Sequence, residues 1–448
     1  MPVKIRRLVH TLFLAGLTAA TSALASDLLQ VYRQALTYDA QYAAARAATE
    51  MGREKLPQAR AGLLPVISGT ANAFWNDSRY ESISSSGSSQ NYTGKYSSKG
   101  YGITLTQPLF RWQNFLLYDQ AKLLIMQSEA NFLQAGQDLM LRVAQAYFDV
   151  LLAIENLRAV QVNKEAISQQ LAQAKKNFEV GTATITDTYE SQSRYDLAVA
   201  QEINAESDLE VKRYALRVLI GADPGELSRL KPKAELAPPQ PRDMQPWVDA
   251  AESGNFAVQA QQAAAEAAKK AIDINRAGHY PTLDAVANYN KSYGPGQFGI
   301  GEINTTSNQV GLQLNVPIFQ GGAVNSRTRE AAARYNAENS ALDQAKRTAG
   351  LNARQAYLGV VNGLAGVNAL EAALRSGLSS LDSNRLGYEV GVRINIDVLN
   401  AENQVYLTRR DLEKARFDTL MAELKLKAAV GTLSETDLER INALLVAP

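Results

Sequence analysis

The sequence contains no cysteine and only two histidines. The lack of cysteine excludes disulfides, thiolate metal sites, a cysteine nucleophile and a lipid-modified N-terminal cysteine. One histidine, His10, lies in a segment that we expect to be removed, which leaves His279 alone for acid–base or metal chemistry. We find no glycine-rich loop of the phosphate-binding type either. The sequence therefore predicts no enzymatic activity, no cofactor and no metal site.

The charge is nearly balanced, with 46 basic and 45 acidic side chains, and nothing in it indicates a nucleic-acid partner. At the N-terminus, Lys4, Arg6 and Arg7 precede an apolar run. The run ends at a cleavage site of small residues, Ala23-Leu24-Ala25. This order predicts a secretory signal peptide over residues 1–25. Beyond it we find no stretch of about 18 uncharged apolar residues, so an exported protein without a membrane-spanning helix is expected.

The chain repeats itself in a fixed order. Phe178-Glu179-Val180-Gly181 recurs as Tyr388-Glu389-Val390-Gly391, 210 positions later. Such self-similarity indicates a duplicated structural unit. We place the first repeat at residues 26–221 and the second at residues 247–448. The linker between them, residues 222–246, holds six of the 14 prolines and is predicted to be irregular.

Each repeat contains two stretches in which apolar and polar residues alternate, as expected for strands with one apolar face. They cover about residues 66–76, 99–107, 282–290 and 308–316. A soluble sheet with one face on a core shows this pattern, and so does a transmembrane barrel. The polar residues 77–98 and 291–307 are expected to form long loops, which favour the barrel. Four strands cannot close a barrel, so several chains would have to share one.

Each strand pair is followed by about 70 residues without proline, which is enough for a helix of roughly 100 Å. Both runs end at a Val-Gly pair, at Gly181 and Gly391, after which a second helix is expected to return. The sequence therefore predicts two long antiparallel helical hairpins, over about residues 110–221 and 319–431. The order helix, strand, strand, long helix, helix is thus predicted twice.

The hairpin tips carry the polar residues that we single out. Asp187 and Glu190 lie at one tip, and their counterparts in the 210-residue register are Asp397 and Asn400. An aspartate near a helix start is expected to cap free N–H groups. If several copies surround a pore, Asp397 also forms a ring of carboxylates, as in cation-selective constrictions. The two roles can coexist.

Three motifs together resemble the TolC family of outer-membrane efflux ducts, and the resemblance covers nearly the whole chain after residue 25. They are Asp27-Leu28-Leu29-Gln30-Val31-Tyr32-Arg33-Gln34-Ala35, then Leu63-Leu64-Pro65, and Val390-Gly391 followed by Ile396-Asp397-Val398-Leu399. The resemblance implies a mainly α fold with a β-barrel part. A homotrimer would form a 12-stranded β-barrel in the bacterial outer membrane, continued by a long α-helical barrel in the periplasm.

The same resemblance implies partners and a gate. The periplasmic tips would meet an adaptor (membrane fusion) protein and an inner-membrane ABC or RND transporter, while outer-membrane lipid surrounds the barrel. Family members close the tip with an aspartate ring and with links between neighbouring helices that involve Tyr and Arg. Tyr388, Arg393 and Asp397 match those positions, whereas Asn400 departs from members that have a second acidic ring. The predicted gate therefore comprises Tyr388, Arg393, Asp397, Asn400, Asp187 and Glu190, with hairpin breaks at Gly181 and Gly391.

The leading interpretation is a passive exit duct of a tripartite export system, for type I protein secretion, multidrug efflux or both, gated at its periplasmic tip. An always-open outer-membrane porin would share the alternating strands but needs no long helical extension. A soluble periplasmic coiled-coil scaffold would share the hairpins but needs no such strands. The lack of cysteine separates the chain from the lipid-anchored branch of the family.

Overall fold

The computed structural model describes residues 26–231, 234–295 and 301–447, so the predicted signal peptide lies outside the described residues. The chain divides into two compact units. One contains the described residues up to Thr37, those of Val143–Glu235 and those from Glu435 onward, and the other contains Tyr38–Arg142 and the described residues of Leu236–Ser434. Each compact unit contains residues from both sequence repeats, so the repeats do not coincide with the compact units.

The described part of the chain is mainly α-helical, with one large sheet and one short strand pair. In chain order the elements are α1 Leu28–Tyr38, α2 Ala40–Arg53, α3 Lys55–Ala61, β1 Val66–Ile83, β2 Ser89–Phe110, α4 Trp112–Glu179, α5 Ile185–Ile220, β3 Arg229–Leu230, α6 Gln245–Gly254, α7 Phe256–Arg276, β4 Thr282–Pro295, β5 Glu302–Asn315, α8 Ala323–Glu389, α9 Asn395–Ala429, α10 Glu435–Asn442 and β6 Leu445–Val446. The duplicated order of helix, two strands, long helix and helix is confirmed.

Four strands form an antiparallel sheet in the order β1-β2-β4-β5, within the second unit. Hairpins join β1 to β2 and β4 to β5, and β2 pairs with β4 to link the two repeats. Leu312 and Leu314 of β5 alternate with Gly311 and Gln313, which places the leucines together on one face. The apolar face of this sheet is largely exposed in the single chain, since Val310 is 89% and Leu312 69% exposed.

The strands extend well beyond their predicted ends, and the expectation of a long loop at residues 77–98 is wrong. β1 and β2 stay paired out to Ile83 opposite Ser89, which leaves only residues 84–88 for the turn. The serine- and glycine-rich composition indicates a loop, but ladder hydrogen bonds come from the backbone and need no apolar side chains. A cross-strand ion pair between Lys95 and Asp77 accompanies this polar extension.

The predicted linker contributes one short strand to the first unit. There β3 pairs with β6 near the C-terminus, opposite Leu445 and Val446. The buried hydroxyl of Tyr147 donates to the Ser228 carbonyl oxygen at 2.8 Å, and lies 3.2 Å from that of Ser26. Burial raises the pKa of Tyr147, so this hydroxyl stays protonated and remains a donor. It thereby ties the linker and the N-terminal segment to α4.

The helices of the second unit pack through a cluster of buried apolar side chains, several of them alanines. Trp247 and Ala251 of α6 join Val258 of α7 in a buried cluster with residues of α8 and α9, including Ala353 and Leu426. Length and composition single out α8 as apolar enough to cross a membrane, against our expectation. α8 packs along α7 and α9, and its length and composition alone do not make it a membrane span.

Asp39 connects two elements of the second unit. Its carboxylate caps α2 by accepting the Tyr42 N–H at 2.7 Å, and it also pairs with both terminal guanidinium nitrogens of Arg142 in α4, at 2.8 and 2.9 Å. The side chain is only 6% exposed. The hydrogen bond from Arg142 outweighs burial and lowers the pKa of Asp39. Because the folded-state pKa is depressed, the stabilisation is present above the unfolded pKa and is lost as pH falls through the folded one.

We predict that Asp39→Asn destabilises the fold by roughly 2 kcal/mol at pH 7, because asparagine can still cap α2 but removes the carboxylate to which the Arg142 guanidinium hydrogen-bonds. The unfolding midpoint of the variant should approach that of the parent as pH drops below about 4. Asp119→Asn is the matched control on α4, since it breaks an exposed pair with Lys122 and should cost little. A difference between Asp39→Asn and the parent that persists unchanged at low pH would contradict the ion-pair account.

Candidate functional site

Each helical hairpin turns at its tip through the same backbone geometry. At the first tip, Gly181 has a φ of +77°, and the N–H groups of Thr182 and Ala183 both donate to the Asn177 carbonyl, at 2.8 and 3.2 Å. At the second tip, Gly391 has a φ of +79° and the next two N–H groups donate to the Gly387 carbonyl. This left-handed conformation suits glycine and satisfies carbonyls that the helix end leaves free.

Asp187 lies in the first turn of α5 and forms a capping box with Thr184. The Thr184 hydroxyl accepts the Asp187 N–H at 3.3 Å, while the Asp187 carboxylate accepts the Thr184 N–H at 3.0 Å. The Thr184 hydroxyl also donates to that carboxylate at 2.9 Å. These contacts give Asp187 the capping role expected of an aspartate at a helix start.

Asp397, the counterpart of Asp187, makes a different contact. The N-cap position of α9 is Ile394, which has no side-chain oxygen, and the Asp397 N–H bonds the Ile394 carbonyl instead. The Asp397 carboxylate lies 3.6 Å from a guanidinium nitrogen of Arg393. Arg393 is 58% exposed, so this pair alone adds little stability. The charges of Arg393 and Asp397 therefore both lie at the surface of the tip.

A second residue difference between the two repeats makes room for the Arg393 side chain. The first tip has Asn177 and Ala183, and the second has Gly387 and Arg393 at the same places in the 210-residue register. A Cβ atom on Gly387 would lie 2.7 Å from the Arg393 Cγ. The arginine can therefore approach this part of α8 closely because residue 387 has no side chain. Our reading of the sequence missed Gly387, although comparing the two tips residue by residue would have found it.

An ion pair that the sequence did not reveal lies behind the second tip. Arg385 of α8 contacts Glu402 of α9 at 2.8 Å, and the Glu402 side chain is 5% exposed. The second carboxylate oxygen of Glu402 has no hydrogen-bond partner in the part of the chain that the structure describes. Close by, Leu381, Val398 and Val405 form a small core on which Tyr388 packs. The 210-residue register gives a sequence signal for this ion pair, because Gln192 occupies the position of Glu402 in the first repeat.

The remaining predicted gate residues lie one turn further along the returning helices. Glu190 is half-buried on α5, and Asn400 is exposed on α9. The outermost parts of both tips are apolar and exposed, at Val180 on one and Val392 and Ile394 on the other. No cluster of potential metal ligands occurs among residues 26–231, 234–295 and 301–447. The tips thus present charged and apolar side chains at the surface.

A model of the outer membrane efflux protein family matches residues 31–222 and 247–432, one match in each sequence repeat. The chain is 31% identical over 429 residues to the outer membrane protein TolC of Vibrio cholerae, covering 95% of each chain. It is 32% identical to the alkaline protease secretion protein AprF of Pseudomonas aeruginosa, covering 99% of this chain and 92% of AprF. It is also 32% identical to the proteases secretion protein PrtF of Dickeya chrysanthemi, covering 94% of this chain and 92% of PrtF.

Solved structures give the same fold at lower identity. The CmeC outer membrane channel of Campylobacter jejuni superposes with a TM-score of 0.78 at 15% identity, covering 99% of this chain and 97% of CmeC. The outer membrane protein VceC of Vibrio cholerae gives a TM-score of 0.76 at 18% identity, covering 90% and 96%. On the family match and the relatives above 30% identity, the chain belongs to the outer membrane efflux protein family and is an export channel of the bacterial outer membrane.

Proposed function

We propose that this chain is the passive exit duct of a tripartite export system, closed at rest by its periplasmic tips. The observation that carries the proposal is the presence in one chain of a sheet with an exposed apolar face and of two long helical hairpins with glycine-closed tips. The secretion proteins among its relatives favour type I protein secretion as one of its tasks. Multidrug efflux is a second task compatible with the same duct.

Three copies would complete the membrane-spanning part. β1 and β5 are the two edges of the sheet and each pairs on one side only within the described chain. Unpaired backbone groups are not tolerated in lipid, so these edges must meet strands of neighbouring chains. Three sheets of four strands give a closed barrel of twelve, an even number as in other bacterial barrels. The exposed apolar face, with Val310 and Leu312, would then meet lipid, and Gln313 would face the lumen.

The tips would serve both as the gate and as the docking site. In a trimer the three Asp397 carboxylates form a ring that favours cations, and Arg393 and Tyr388 hold neighbouring helices together. Asp187, Glu190 and Asn400 would border this constriction. The exposed apolar residues Val180, Val392 and Ile394 would meet a periplasmic adaptor, and an ABC or RND transporter in the inner membrane would supply the energy.

The duct is tested first by fractionation and electrical recording of the full-length mature protein. We expect a trimer in the outer membrane and, in planar bilayers, a small conductance with rare openings. A large and permanently open conductance would identify an autonomous porin instead. A detergent-independent soluble monomer would identify a periplasmic scaffold.

We predict that Asp397→Ala lowers the cation preference of the channel and weakens block by divalent cations several-fold, because it removes three carboxylates from the constriction. Reversal potentials in a salt gradient and titration of block measure both effects. Asp382→Ala on the exposed surface of α8 is the control with the same change of charge. Equal effects of the two substitutions would reject the ring.

We predict that Gly387→Ala raises the basal conductance in the same direction as Arg393→Ser, because the added methyl group would displace the arginine that lies against it. Gly366→Ala is the matched control, since that Cβ meets nothing within 4 Å and carries the same change in helix propensity. The double variant, Gly387→Ala with Arg393→Ser, should have no higher basal conductance than Arg393→Ser alone. Additive effects in single-channel recordings would mean that Gly387 acts by another route.

A further inference from the structure

We propose that Lys99 and Lys291, on the apolar face of the sheet, form a binding site for the phosphate of a glycolipid in the outer leaflet of the membrane. The proposal rests on the exit-duct function, because it requires that this face of the sheet meets lipid. It concerns residues of adjacent strands, β2 and β4, that the gate and the tips do not use.

The strand register brings the two lysines to one aromatic ring. Lys99 is paired with Tyr293, and Tyr101 is paired with Lys291. The Lys99 ammonium lies 5.8 Å from the centre of the Tyr293 ring, and the Lys291 ammonium lies 5.4 Å from it. Paired residues share a face of the sheet, so two positive charges lie near one tyrosine ring.

Neither of these lysines forms an ion pair with a carboxylate in the described chain. The next lysine along β2, Lys95, differs in this respect, because Asp77 lies 3.8 Å from its ammonium. Two cations held near one ring repel each other, and the ring offsets only part of this repulsion. An anion between them removes the repulsion and gains charge-assisted hydrogen bonds. A phosphate group is suited to this place, since lysine is a common phosphate ligand in proteins.

The position of the lysines on the strands indicates a membrane interface. From Leu105 towards the turn of the hairpin, the residues of β2 on this face are Leu105, Ile103, Tyr101 and Lys99. On β4, Tyr289 lies beside Tyr101, with 6.4 Å between ring centres, ahead of Lys291. The order apolar, aromatic, basic is the one found where a membrane protein passes from hydrocarbon to headgroups.

The occupant that fits best is a phosphorylated glycolipid. The lysines lie towards the turn at residues 84–88, away from the helices, which is the outer side of the proposed barrel. Tyr101 is 46% exposed beside them, so its hydroxyl can bond sugar hydroxyls while the ammonium groups hold the phosphate.

The test measures glycolipid bound to the purified full-length trimer, by native mass spectrometry and by titration into detergent-solubilised protein. The probe is a diphosphorylated lipid A. Replacement of both lysines, Lys99→Gln with Lys291→Gln, is expected to weaken binding about tenfold or more. Lys95→Gln is the matched control on the same face and strand, because it removes the same charge from a lysine that already has a partner. An equal loss in this control would overturn the assignment.

Three further arms separate the possible sources of the anion. Dephosphorylated lipid A should bind no better to the parent than to the double variant. Phosphatidylglycerol binding as tightly as lipid A, or full displacement of lipid A by equimolar inorganic phosphate, would overturn the glycolipid assignment. Binding is measured on protein already recovered as an outer-membrane trimer that exports its cargo. A failure of lipid binding alone therefore overturns this inference and leaves the exit-duct proposal standing.

Discussion

A β-sheet in lipid must have every backbone group paired, and most of this molecule can be understood from that constraint. The four strands of one chain leave β1 and β5 as open edges and leave an apolar face exposed. Neither is stable alone in a membrane, so further copies of the chain would complete the fold in the assembly that we propose. The trimer that we propose follows from the number of strands together with this requirement.

The duplication supplies two strand pairs and two hairpins, and differences between the copies give the second tip its own chemistry. At the first tip Asp187 is engaged in a capping box. At the second, isoleucine replaces the capping threonine and Arg393 replaces an alanine, so the equivalent Asp397 carboxylate contacts the arginine. Loss of the side chain at residue 387 makes space for that arginine. The gate that we propose at the second tip would thus rest on a small set of coupled differences between the copies, while the backbone of the turn is the same.

The sequence predicted some kinds of structural feature better than others. Periodic features were predicted well: the alternation along β5, the proline-free runs of α4 and α8, and the glycines that end them. Polar strand extensions such as residues 77–83 were missed, because a backbone ladder leaves no hydrophobic pattern. The pair of Arg385 and Glu402 was missed because its members come from different helices, and residues 17 positions apart give no periodic signal.

The sequence by itself determined the duplicated order of elements, the turns at Gly181 and Gly391 and the family of the protein. These depend on local preferences, such as the left-handed backbone of glycine, and on repeated motifs that are visible in one dimension. Only the tertiary structure decided which carboxylate caps a helix and which meets an arginine, and which lysines converge on Tyr293. Those outcomes depend on strand register and on the space left by neighbouring side chains, which arise only when separate segments pack together.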